Sequence, residues 1–234
     1  SGALEDMRAA GIEQLSYFQV DNPIARPGDP LFIGLHDLAG AEMSSKVVAK
    51  RDAGEKVGVI GRIDGKLGCI EYSDLSEELR TARDADGALL FNAGNIAAHV
   101  IRRDFVERLT AGGDLDLPWH VARKRIASID ASGQPIELDG VKFETFVFDA
   151  LGRTTASVVL ESDRAEEFSP VKNAEGSDSP ATCRADLARI GREISGQSGD
   201  EVVEVDPRVA ESRAEFSARS PEPTRTRAGL LYRA

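Results

Sequence analysis

Ile63-Asp64-Gly65 joins two short apolar runs, 56–62 and 66–72. An Asp-Gly pair in that setting is a strong hairpin signal, so part of any sheet here must pair antiparallel. Around the hairpin, apolar runs of strand length alternate with helical patterns. Strands are expected at 15–20, 45–50, 89–100 and 156–160, with a minor one between Gly133 and Gly140. Helices are expected at 3–10, closed by Gly11, and at 30–39, where Asp29-Pro30 supplies a cap and a proline at the first position. Further helices are expected at 73–83 with Ser73 as N-cap, at 103–109, at 142–151 and at 181–194. Strands alternating with helices, plus one obligatory hairpin, give an α/β sandwich with a mixed sheet.

Three apolar runs stop at residues that can hold a ligand: Val20-Asp21-Asn22-Pro23, Phe91-Asn92-Ala93-Gly94-Asn95-Ile96 and Ser169-Pro170-Val171-Lys172-Asn173. In open α/β sheets such stops sit where polar groups face a ligand. The Asp21 carboxylate suits Mg²⁺, which takes one or two protein oxygens plus phosphate, and equally suits a turn capped by its own backbone. Lys172, two residues after a proline, is a phosphate clamp or a solvated lysine. Lys46 has the same ambiguity. Asn92 and Asn95 can donate and accept, matching sugar hydroxyls or an Asn/Gly turn. Glu71 ends its strand as a sugar acceptor or an outward-facing charge. Phe146 and Phe148 read as helix core or as a wall for a methyl group. His36, His99 and His120 have no spacing useful for a metal or a triad.

The chain of 234 residues has net charge −11, which argues against nucleic acid or an anionic membrane as partner. No stretch approaches the roughly 20 apolar residues of a membrane helix, and no signal peptide is evident, so a cytoplasmic location is the expectation. Cys69 and Cys183 lie far apart and near no histidine, indicating neither a disulfide nor zinc. Beyond 195 the composition turns polar: 196–234 reads as a linker and 207–234, rich in arginine and proline, as a poorly ordered tail. The expected division is therefore 1–195 and 196–234.

The segments Tyr17–Asn22, Asp29–Gly34, Lys46–Lys50, Val57-Gly58-Val59, Glu71-Tyr72-Ser73, Phe91–Ile96, Lys142–Asp149 and Glu167–Ala174 occur in an order that resembles the UDP-sugar pyrophosphorylases. Within that family the Ala-Gly between Asn92 and Asn95 favours the branch using N-acetylglucosamine over the one using glucose. The resemblance implies a Rossmann-like nucleotidyltransferase sandwich. It also implies a uridylyl transfer in which N-acetylglucosamine 1-phosphate attacks the α-phosphorus of UTP, releasing pyrophosphate and forming UDP-N-acetylglucosamine. By that likeness Asp21 holds Mg²⁺ and Lys172 neutralises phosphate. Gly58, Glu71 and Asn95 contact the sugar, and Phe146 and Phe148 line the N-acetyl group. The family's glycine-rich phosphate loop is absent from the sequence. The amino-terminal half of the catalytic domain is thus expected to be missing, with residues 1–195 as its sugar-binding half. An isolated chain of this kind is expected to turn over little or not at all. A glucose-1-phosphate enzyme and a non-catalytic sugar-phosphate-binding fragment are the alternatives.

Overall fold

The computed structural model describes residues 2–113 and 117–234. The chain divides into two compact units, residues 1–17 with 27–161, and residues 18–26 with 162–234.

The first unit carries the mixed sheet. Its elements are α1 (Ala3–Ala9), β1 (Gln14–Tyr17), α2 (Pro30–Leu38), β2 (Met43–Ala49), β3 (Val59–Ile63), β4 (Lys66–Ile70), α3 (Glu77–Thr81), β5 (Ala93–Arg102), α4 (Arg103–Thr110), β6 (His120–Ile129), β7 (Pro135–Glu144), a 3₁₀ segment Val147–Arg153, and β8 (Val159–Glu161). The strand order is β4-β3-β5-β2-β8, with β1 also on β5. Only β2 and β8 run parallel; the other pairs of this sheet are antiparallel. The Asp-Gly hairpin forms as expected, with Asp64 and Gly65 both at positive φ and Ile63 opposite Lys66. Asp29 caps α2 by accepting from the Leu31 N–H.

One sheet face buries Met43, Val47, Ile60 and Ile101 with Phe105, Phe148 and Leu151. On the other face of β2, Lys46 is fully buried, and its ammonium lies 2.6 Å from Asp29 Oδ2 and 5.6 Å from the Phe32 ring centre. Lys46 is therefore a structural cation that ties β2 to the start of α2. Burial pushes the Asp29 carboxyl up, but the Lys46 hydrogen bond and charge, with the Leu31 and Phe32 amides, hold it below its ordinary value.

Several expectations change. The first strand ends at Tyr17, and Val20 is 95% exposed rather than buried. The helix expected at 73–83 shrinks to α3, capped by Ser76 instead of Ser73. The minor strand after Gly133 is half of a ten-residue ribbon, β6–β7. Its other half is hard to read because Arg123, Lys124 and Arg125 occupy its centre and most of it is exposed. The helix expected at 142–151 is instead the end of β7 followed by the 3₁₀ segment. Ten residues of ladder hydrogen bonds with β6 override the helical spacing of its phenylalanines.

The second unit contains α5 (Arg164–Glu167), α6 (Pro180–Ser195), β9 (Val202–Val205), α7 (Arg213–Arg219), β10 (Thr224–Arg225) and β11 (Gly229–Tyr232). Ser179 and Thr182 form a reciprocal capping box at the start of α6. The tail expected to be poorly ordered over 207–234 forms α7, β10 and β11. Strand β11 lies between β9, parallel, and β10, antiparallel. Val203, Val209, Ala210, Leu230 and Tyr232 make a small core, and Phe216 stacks edge-on against Tyr232 at 4.8 Å. Few apolar residues, spread over thirty positions, converge here only through the β9–β11 pairing.

Candidate functional site

In the first unit the candidate residues gather at one end of the sheet. Asn92 and Asn95 stand at the amino end of β5 rather than the carboxyl end of a strand, contrary to the simple stop pattern. Because β5 is antiparallel to β2, that end lies beside the carboxyl end of β2, with Ala93 opposite Ala49. The two asparagines thus stand beside a carboxyl strand end, where open α/β sheets present polar groups.

Gly58 leads into β3, and its carbonyl accepts the Asn95 N–H at 2.8 Å. A Cβ on Gly58 would lie 3.0 Å from both Cys69 Sγ and Glu71 Oε1. Glycine therefore lets the Glu71 carboxylate close against the β3 backbone. The Asn95 side chain is partly committed. Its Oδ1 accepts the Ala97 N–H at 2.9 Å, supporting an irregularity in the β2–β5 pairing where Ala97 has φ +51°. Its Nδ2 faces Cys69 Sγ at 3.6 Å. One Oδ1 lone pair and one Nδ2 hydrogen are thus committed, which leaves Asn95 one acceptor and one donor position for a ligand. Asn92 likewise spends its Oδ1 on the Lys50 N–H at 2.9 Å. Burial, followed by the Glu71 charge and opposed by the Asn95 contact, pushes the Cys69 thiol up to about 12.

Phe146 and Phe148 stack at 4.8 Å with rings 15° apart. Phe148 is core, 9% exposed, and Phe146 packs at the margin of the same cluster. His120 caps this stack 4.7 Å from Phe146 and sits 2.9 Å from Asp149 Oδ2. His120 and Cys69 are the neighbours that sequence spacing did not connect to the site.

In the second unit, residues 21–22 are joined to residues 167–171. The Val171 N–H donates to the Asp21 carbonyl at 2.8 Å. Buried Asn22 donates through Nδ2 to the Glu167 carbonyl at 2.7 Å and accepts the Ser169 N–H at 3.0 Å. This side-chain bridge sets Asp21 beside the segment bearing Lys172. Asn22 was legible only as part of an Asp-Asn-Pro turn. The Lys172 and Asn173 amides both donate to the Asp178 carbonyl, at 2.7 and 2.9 Å, and close the loop before α6. The exposed Lys172 ammonium lies 5.6 Å from the Phe168 ring centre.

Asp21 Oδ1 is buried and has no hydrogen-bond partner among the described residues. Such an oxygen is costly unless something satisfies it. Among the described residues no group of three or more His, Cys, Asp or Glu side chains could form a metal cage. A single free carboxylate oxygen suits Mg²⁺, which completes its shell with water and phosphate. Among the described residues, no helix is long and apolar enough to cross a membrane.

The chain is 41% identical over 189 residues to mouse UDP-N-acetylhexosamine pyrophosphorylase-like protein 1, covering 79% of this chain and 37% of that protein. It is 40% identical over 200 residues to the Saccharomyces cerevisiae UDP-N-acetylglucosamine pyrophosphorylase, covering 80% of this chain and 41% of the yeast protein. The crystal structure of the Trypanosoma brucei uridine diphosphate N-acetylglucosamine pyrophosphorylase superposes with a TM-score of 0.79 at 26% identity. That match covers 93% of this chain and 47% of the trypanosomal one. The chain therefore spans less than half the length of these proteins. The sequence model for UTP–glucose-1-phosphate uridylyltransferase matches residues 1–179. With a mixed α/β nucleotidyltransferase fold and that match over most of its length, the chain belongs to the UTP–glucose-1-phosphate uridylyltransferase family.

Proposed function

We propose that the chain supplies the sugar-binding part of a cytoplasmic uridylyltransferase that makes UDP-N-acetylglucosamine and pyrophosphate from UTP and N-acetylglucosamine 1-phosphate. The orphaned Oδ1 of Asp21, on a backbone hydrogen-bonded to the residue before Lys172, carries this reading. In the transfer, the phosphate oxygen of the sugar 1-phosphate forms a bond to the α-phosphorus of UTP as the bond to pyrophosphate breaks. No covalent intermediate on the protein is needed, so positioning and charge neutralisation account for the rate. A bound Mg²⁺ would neutralise phosphate charge, and Asp21 is the residue to hold it. Lys172 places a point charge against the phosphate, on a loop fixed by the Asp178 carbonyl. Asn95 donates to a sugar oxygen through Nδ2, Glu71 accepts from sugar hydroxyls, and Gly58 leaves the room. Phe146, at the margin of its stack, meets the N-acetyl methyl, and buried Phe148 supports it.

The Phe146–Phe148 wall favours N-acetylglucosamine 1-phosphate over glucose 1-phosphate, although the matching family description names the glucose compound. Calorimetric titration with each sugar phosphate tests this choice. The N-acetylated compound should bind at least tenfold more tightly, and Asn95→Ala and Phe146→Ala should each reduce that preference. Equal affinity for the two sugars rejects the substrate assignment. Pyrophosphate release that depends on UTP tests the transferase in a protein of its relatives' length that contains these residues, where Lys172→Met should abolish it.

A further inference from the structure

The carboxyl-terminal end of α6 borders a pocket of about 390 Å³ within the second unit. Arg189, Arg192 and Arg213 line it against one carboxylate, Glu193, together with Gly196 and Gln197. Arg189 is already paired: its Nη1 donates to both Glu193 oxygens, at 2.8 and 3.0 Å. Arg192 donates to the neutral carbonyl of Glu201 at 3.1 Å, which leaves its charge uncompensated. Arg213 has no hydrogen-bond or ion-pair partner among the described residues. Two guanidinium charges therefore face the pocket without a matching anion.

Arg213 occupies the space of a missing side chain. Gly196, at φ +71°, follows α6, and a Cβ built there would lie 1.5 Å from Arg213 Nη1. The guanidinium fork occupies space that only glycine leaves open. A cation near a helix carboxyl end is favoured by the helix dipole, which explains why arginines collect here. Yet Arg213 does not cap the helix. The Gly196 N–H and the Ser195 hydroxyl are the donors to the Arg192 carbonyl. The volume lies at the small end of the roughly 300–1,000 Å³ typical of ligand pockets. Planar, doubly donating guanidinium groups match phosphoryl oxygens in geometry and charge.

We propose that this pocket binds a phosphoryl oxyanion through Arg213 and Arg192. It lies at the far end of α6 from the Lys172 loop. That helix is sixteen residues long, about 24 Å at 1.5 Å per residue, so the two regions can be separated by mutation. The test is calorimetry at low ionic strength on the whole chain carrying Lys172→Met, so that the phosphate clamp of the proposed reaction site is absent. Inorganic phosphate, inorganic diphosphate and N-acetylglucosamine 1-phosphate are titrated separately, and their order identifies the natural source of the anion. Diphosphate should bind, and adding Arg213→Gln should weaken it at least tenfold. Arg213→Lys, which keeps the charge but loses the fork, should fall between the two. Glu193→Gln, which removes the only carboxylate of the wall, should tighten binding severalfold. Absence of binding by all three anions, or binding unchanged by Arg213→Gln, would overturn the proposal. Either result stands whether or not the transferase assignment does, because Lys172 has been removed from the comparison.

Discussion

Acidification should destabilise the first unit through His99, by an amount its surroundings set. His99 lies on β5 with 1% of its surface exposed, its Nδ1 is 2.8 Å from Ser45 Oγ, and its buried Nε2 has no partner among the described residues. Burial lowers its pKa from 6.5 to about 4 in the fold. Above pH 6.5 both folded and unfolded chains carry a neutral imidazole, so stability is unaffected. As pH falls below 6.5 the unfolded chain takes up a proton that the folded chain refuses. Unfolding free energy then drops by about 1.4 kcal/mol per pH unit until the folded pKa is reached. The span from 6.5 to about 4 gives a total loss of about 3 kcal/mol. Urea midpoints of the parent chain and of His99→Gln, compared from pH 7.5 to 4, isolate this effect because every other titrating group is common to both. The variant loses the Ser45 contact at all pH values, which is a constant offset. The difference between the two proteins should shrink by about 3 kcal/mol across the window. A difference that stays flat would mean that His99 charges freely inside the fold, and the burial argument would be refuted.

Lys46→Met should cost about 3 to 5 kcal/mol by stranding the Asp29 carboxylate at the start of α2, measured as a lowered urea midpoint at neutral pH. The folded Asp29 pKa lies below 3.8, so its contribution is present above that pH and fades below it; the cost of Lys46→Met should shrink in acid. Gly191→Ala should disrupt the second unit, since a Cβ there would lie 2.0 Å from the Val203 carbonyl oxygen on β9. Limited proteolysis should then cut between 196 and 234 while the parent chain resists. Cys69, its thiol pushed up to about 12 by burial and Glu71, should react with a thiol reagent at pH 8 only after unfolding. Rapid modification in the native state would contradict the packing around Gly58 and Asn95.

Local chemistry specified much of this protein directly. Asp64-Gly65 encodes the hairpin because two consecutive positive φ angles are least costly for those residues. Asp29-Pro30 encodes the start of α2, and Ser179-Pro180 that of α6, because each cap and its helix are adjacent in the chain. Ordered motifs marked Asp21, Gly58, Glu71, Asn95 and Lys172 in the sequence; the backbone bond between residues 21 and 171 exists only in the fold.

What the tertiary structure alone decided depends on contacts between residues distant in sequence. Pairing with β6 turned the Phe143–Phe146 stretch away from its helical spacing, and β9 gave β11 a partner that made an arginine-rich tail into a folded layer. Lys46 became a buried cation because α2 brought Asp29 to it, and Asn95 gave one of its two acceptor positions to a backbone irregularity on its own strand. A sequence records which groups a residue carries. Which of those groups remain free for a ligand is settled only when the backbone has taken the partners it needs.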